Sequence, residues 1–176
     1  TRRVTGKTLG QFFHEEIAEP FHIDFFIGVP KEHDSQVAEI LGMEKEITKT
    51  QLALWNLFFK KTVQMATNPW MFNTPDYNSP EWRYSEIPAG NGHGNARSLA
   101  QIGNILASGG MFDNKRILSQ SMVEQAIKQQ IRGRDAYVFY RPSVWGLGFG
   151  LYNKDLLLGP RSFYWGGLGG SFCIMD

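Results

Sequence analysis

After Gly133 the sequence changes texture, and that change limits the fold more than any other feature. The runs YVFY, WGLGFGLY, FYWGG and SFCIMD follow at short intervals, rich in aromatic and apolar residues and broken by glycine. That is strand and hairpin chemistry. Residues 1–132 read differently, as a series of amphipathic helices with capping signals. Helices first and antiparallel strands last give an α+β layout rather than alternating βαβ units. No internal repeat or low-complexity tract interrupts it.

Within the helical part, Thr8-Leu9-Gly10-Gln11 has the form of a capping box, and Leu9, Phe12, Phe13 and Ile17 then fall on one helical face until Pro20. FHIDFFIG is an apolar segment expected to pack under that helix. Pro30 suits the first position of a short helix running to about Leu41. Gly42–Ile47 reads as a loop. Leu52, Trp55, Phe59 and Val63 repeat at helical spacing with Leu54 and Phe58 beside them, so this helix is either deeply buried or meets a partner. Residues 68–95 are dense in Pro, Gly, Asn and aromatics and read as one long functional loop or lid. Ala96, Leu99, Ile102 and Leu106 form the next stripe, stopped by Gly109-Gly110. In MFDNKRIL, Asp113-Asn114 marks a turn. Ser119 or Ser121 starts a further helix, with Met122, Val123, Ala126, Ile127 and Ile131 as its apolar face; Ser121 and Glu124 have capping-box spacing.

Charge and composition exclude several function classes. Across 176 residues the formal net charge is +1, which provides no electrostatic basis for binding nucleic acid or an anionic membrane. No apolar run reaches transmembrane length. The single cysteine, Cys173, rules out an internal disulfide and a multi-cysteine metal site, and its place in an apolar strand reads as a small hydrophobe. The four histidines lack metal-ligand spacing, so neither a metal nor a cofactor is expected. TGKT at residues 5–8 matches the tail of a phosphate-binding loop, but the glycine required five residues before Gly6 is Thr1, and a helix start explains Thr8. His93, in GNGHGNARS, lies in a glycine-rich loop at a helix start. Such a loop can turn backbone amides toward an oxyanion, or it can simply need glycine for positive φ. No serine is followed three residues later by lysine, and no Gly-x-Ser-x-Gly occurs. The chain alone supplies no activated nucleophile.

Several stretches together resemble the serine β-lactamase-like superfamily, which includes class C β-lactamases, penicillin-binding proteins, related esterases and eukaryotic β-lactamase-domain proteins. They are RVTGKTLGQFFHEEIAEPFHIDFFIG, PAGNGHGNARSLAQIGNILASGGMFDNKRILSQSMVEQA, and WGLGFGLY followed by FYWGGLGGSFCIMD. The likeness runs in order over most of the chain. It implies one incomplete domain, with a helical region over about residues 1–132 and the start of a C-terminal sheet over about 133–176. Both chain ends are then expected to be cuts in a longer enzyme. The family's nucleophilic serine, its lysine and its tyrosine would lie outside this chain.

The resemblance assigns one motif here. Trp165-Gly166-Gly167 stands where the family carries Lys-Thr-Gly or a variant, so Trp165, Gly166, Gly167 and Leu168 would form one wall of the cleft, with the Leu168 amide as an oxyanion donor; His93, from its glycine-rich loop, is a candidate for the cleft rim. Trp165 in place of a cation or imidazole disfavours a substrate carboxylate and suits apolar esters or amides. The implied parent is a serine hydrolase acting on a small ester or amide. The alternative is a non-catalytic scaffold or interaction protein. A nucleotide-binding domain is a third reading and rests on Gly6-Lys7-Thr8 alone. With the rest of the sheet missing, Phe172, Ile174 and an open sheet edge would be exposed and prone to self-association.

Overall fold

The computed structural model describes residues 1–41, 48–60, 63, 77–136, 140–152, 159–167 and 170–176. The expected loop at Gly42–Ile47 and residues 68–76 of the expected long loop lie outside them, as does most of YVFY. The architecture is α+β. Helix α1 (Arg2–Thr5) and α2 (Leu9–Phe13) open the chain, and α2 continues into a π-helical turn at His14–Ala18. Strand β1 (Phe25–Ile27), a 3-10 turn at Lys31–Gln36, α3 (Lys49–Phe58) and α4 (Pro80–Tyr84) follow. Next come β2 (Gly92–Gly94), α5 (Ala96–Ala107), β3 (Met111–Phe112), β4 (Lys115–Arg116) and α6 (Gln120–Ile127). The last five strands are β5 (Ile131–Asp135), β6 (Arg141–Trp145), β7 (Gly150–Leu151), β8 (Phe163–Gly166) and β9 (Phe172–Met175).

These five strands form one antiparallel sheet in sequence order. Val144, Leu151, Phe163 and Met175 lie in register on its inner face and are all buried, with Leu106, Ile127, Phe149 and Cys173 packed against them. Alternation along each strand explains the row, since neighbouring residues point to opposite faces. Helix α5 covers this face. It approaches β9 so closely that a Cβ on Gly103 would lie 3.0 Å from the Cys173 sulfur. Its buried residues are Ser98, Gly103 and Ile105, while Leu99, Ile102 and Leu106 of the expected stripe are half-buried and Ala96 is exposed. Gly109 and Gly110 end the helix at φ 63° and 89°, as the double glycine implies.

Local signals in the sequence operate as their chemistry dictates. Thr8 caps α2 reciprocally with Gln11, and Phe13 meets Phe25 edge to face at 5.7 Å, placing β1 beneath the helix. Gly6-Lys7-Thr8 is thereby a helix stop, an ion-paired lysine and a cap. Lys7 reaches Glu15 at 2.5 Å and Glu16 at 3.4 Å, and the hydrogen bond to Glu15 raises its pKa. Asp113 and Asn114, both at positive φ, form the two-residue turn between β3 and β4.

Other expectations need correction. The helix after Pro30 is a 3-10 turn that stops at Gln36, with Pro30 before it rather than in it. The segment stays extended because the Asn78 side chain accepts from the Ile40 N–H at 2.7 Å and donates to its carbonyl at 2.9 Å. The stretch 77–95 is not one loop: it contains α4 and β2. Ser119, not Ser121, caps α6 by accepting from the Met122 N–H, and Glu124 instead accepts from Gln120. Ile131 lies in β5 and is exposed, as is Met122, so the α6 face is narrower than expected. The helix expected over Leu52–Val63 ends at Phe58 with Leu57 75% exposed, so it is not deeply buried; Val63 beyond it is buried.

One long-range contact ties the N-terminal helix to the middle of the chain. Glu86 accepts from the Thr8 hydroxyl at 2.5 Å and from the Gly10 N–H at 2.9 Å, placing a carboxylate at the start of α2. Gly10 packs so tightly that a Cβ there would clash with the Ile27 carbonyl oxygen and with Glu86. Gly10→Ala is expected to cost about 2 kcal/mol in urea denaturation and Glu86→Ala, at an exposed site, about 1 kcal/mol. Equal stability of Gly10→Ala and the parent would show that this contact yields freely.

Candidate functional site: the open end of strand β8

Strand β8 pairs with β7 only at Phe163 and Tyr164, because β7 is two residues long. Trp165 and Gly166 therefore extend beyond the last β7 partner and, among the described residues, pair on one side alone, with Cys173 and Phe172 of β9. Trp165 is 53% exposed as a result. The turn that follows is closed by the Gly167 N–H donating to the Ser171 carbonyl at 2.7 Å and the Gly170 N–H donating to Gly167 at 3.1 Å, with Gly170 at φ 97°. A Cβ on Gly166 would lie 3.0 Å from the Phe172 ring, so this glycine leaves room for an aromatic neighbour. Leu168, whose amide was expected to be an oxyanion donor, lies outside the described residues. The Gly167 amide is already spent in the turn.

Aromatic residues surround this strand end. Trp145 lies with its ring centre 5.7 Å from that of Trp165 at 57°, and its indole N–H donates to Asp135 at 3.1 Å. On the outer face Tyr164 lies over Gly150, where a Cβ would be 2.5 Å from the ring, and its centre is 5.4 Å from Phe172. Burial raises the pKa of the Tyr164 phenol and of the Cys173 thiol. Cys173 thus stays a protonated, half-buried thiol against the core, in keeping with a packing role. Neither Trp145 nor Asp135 stood out in the sequence. Trp145 read only as one aromatic among several in WGLGFGLY, and nothing local links it to a carboxylate ten residues earlier.

The structure puts His93 in a different sheet from Trp165. His93 lies in β2, opposite Phe26 of β1. Its Nδ1 is 2.7 Å from the Asn91 carbonyl, which can only accept, so Nδ1 carries the proton and Nε2 is the bare nitrogen of the neutral ring. The surrounding glycines serve close approach rather than positive φ. The Phe25 ring lies against both Gly92 and Gly94, at 2.6 and 2.5 Å from where Cβ atoms would stand. The following helix start is already capped, since Asn95 accepts from the Ser98 N–H and donates to Asp24. Asn91, buried, binds the Ile87 N–H and the carbonyls of Trp82 and Ser85, fixing the loop. Among the described residues no three His, Cys, Asp or Glu side chains converge as metal ligands, and no helix is long and apolar enough to cross a membrane.

Burial lowers the His93 pKa; the Asn91 carbonyl opposes this and the Arg83 charge adds to it. The unfolded chain then binds more protons around the folded value, so the stability this neutral ring contributes is present above about pH 6.5 and is lost as the pH falls. The urea midpoint is expected to drop between about pH 7.5 and 5.5, and His93→Gln to flatten that slope. An unchanged slope in the variant would assign the effect to other groups.

Comparison with known proteins identifies the scaffold. The beta-lactamase family model matches residues 1–176. The chain is 33% identical over 129 residues to the esterase/beta-lactamase LipL of Mycobacterium tuberculosis, a match covering 69% of this chain and 30% of LipL. Its fold matches a penicillin-binding protein homolog from Caulobacter crescentus with a TM-score of 0.80 at 29% identity, and a family VIII carboxylesterase with 0.78 at 30% identity. Each of these two alignments covers 99% of this chain and 45% of the other, so the chain spans less than half the length of these relatives. With the family model spanning residues 1–176 and helices preceding a five-stranded antiparallel sheet, this chain belongs to the beta-lactamase family.

Proposed function

We propose that these 176 residues are an incomplete domain of a serine hydrolase that cleaves an ester or amide by acyl transfer. The observation that carries this reading is the open Trp165-Gly166-Gly167 end of β8. Two glycines leave its backbone reachable, and an exposed indole stands beside them. In this reading the Leu168 amide donates to the oxyanion, and Trp165, Gly166 and Gly167 form one wall of the cleft. The sequence contains no Ser-x-x-Lys. The nucleophilic serine, its lysine and the tyrosine therefore come from outside this chain. The serine oxygen attacks the carbonyl carbon, the alcohol or amine leaves with a proton, and water then releases the acid and restores the serine. The likeness to a carboxylesterase and to an esterase/beta-lactamase supports ester cleavage. Trp165 supports apolar substrates, since an indole cannot pair with a carboxylate as a lysine would. In the same reading His93 stands at the rim of the cleft.

The 176-residue chain by itself is expected to show no turnover of a chromogenic ester. A longer polypeptide that includes a Ser-x-x-Lys is expected to turn it over, and Gly166→Val in that polypeptide to lower kcat/KM about tenfold or more. Turnover by the short chain, lost on denaturation, would refute the assignment of the nucleophile. An inactive longer polypeptide would refute the hydrolase.

Self-association of the 176-residue chain is a separate expectation, and it rests on β9. This edge strand leaves Phe172 51% and Ile174 47% exposed, beside a groove of about 400 Å³ that α5 forms with it. An apolar, unpaired strand edge is a template for pairing with another chain. Sedimentation velocity of the 176-residue chain is expected to show mass rising with concentration, and Ile174→Lys to suppress the rise. A constant monomer mass at all concentrations would end this expectation.

A further inference from the structure

Trp145 has no part in the motif that marks the site, yet it is held in a defined place beside it. Its indole N–H donates to Asp135 at 3.1 Å, and its ring centre is 5.7 Å from that of Trp165. Both partners of the hydrogen bond come from the hairpin of β5 and β6, where Asp135 pairs with Arg141 and Trp145 with Ile131. Trp145 is half-buried and Trp165 is exposed. One indole is thus anchored through its polar edge, and the other presents its surface to a ligand. A hydrogen bond to a charged acceptor holds the ring more firmly than packing alone would.

We propose that Trp145, anchored by Asp135 against Trp165, is a specificity-determining residue that makes this wall select planar aryl groups over saturated groups of similar size. The inference rests on the ester-cleaving reading above and adds the class of substrate. Two indoles held at a fixed tilt offer both face and edge to a flat ring, whose quadrupole complements theirs. A puckered aliphatic ring gains only the apolar contact. Trp145 acts through Trp165 and through the shape of the wall; Asp135 is a positioning residue.

The test is binding, so it does not require the nucleophile. The 176-residue chain is titrated with 2-naphthyl acetate and with its decahydro counterpart, and the indole N–H resonances of Trp145 and Trp165 are followed by NMR. The aryl ester is expected to bind about fivefold more tightly and to move both resonances. Trp145→Leu is expected to bring the ratio near unity. Asp135→Ala is expected to reduce it, whereas Asp135→Asn, whose amide oxygen still accepts the indole N–H, is expected to retain it. The Asp135 pair keeps the test decisive if Trp145→Leu does not fold. Equal affinity for the two esters, no response of either indole, or an unchanged ratio in Asp135→Ala would overturn the proposal. In the longer polypeptide, aryl preference without release of 2-naphthol would refute acyl transfer and leave the wall standing. Release without preference would do the reverse.

Discussion

The close approach of α5 to β9 is the contact on which the rest of the molecule depends. It is possible because residue 103 is glycine. Any side chain there would press on Cys173 and on Met175, whose Cγ would be 3.3 Å from the added carbon. With the helix seated, the inner row Val144, Leu151, Phe163 and Met175 is covered, and the sheet has one dry face. Close packing of this kind tolerates little extra volume. The same contact fixes β9, which among the described residues is the strand paired with the exposed end of β8. The strand that holds the Trp165 end of β8 is therefore itself held by a helix packed on the inner face, through one small residue.

A second set of contacts orders the part of the chain that never enters the main sheet. Glu86 binds the start of α2, Asn91 gathers the backbone of Ile87, Ser85 and Trp82, and Arg83 pairs with Asp34 at 3.2 Å. Glu86 and Asn91 are used here as backbone substitutes, satisfying backbone groups that no helix or strand pairs, while Arg83 and Asp34 tie two segments together as an ion pair. They let a glycine-rich segment run as a short strand beneath Phe25. Residues 77–95 thereby hold a defined helix and strand despite a loop-like composition.

The fold class was legible in the sequence, and the reason is periodicity. Alternating apolar residues bounded by glycine specify strands wherever they fold, and the capping residues Thr8, Asn95 and Ser119 carry their own hydrogen-bond partners within three positions. The turn at Asp113-Asn114 is equally local. The errors fall where a distant partner decides. Asn78 keeps the chain extended at Ile40, where propensity favoured a helix. The glycines around His93 read as turn glycines, but their reason is a phenyl ring nearly seventy residues away in sequence.

The sequence alone therefore determined the order of elements, most of their caps and turns, and the likeness to one enzyme family. Each is a property of neighbouring residues or of a pattern repeated along the chain. Tertiary structure decided which of the apolar residues are core, that β8 outruns β7 and leaves Trp165 in the open, and that Trp145 is held by Asp135 beside it. Those facts depend on strand register and on the distance between layers. Register and layer distance are set by side chains that meet only after the chain has folded.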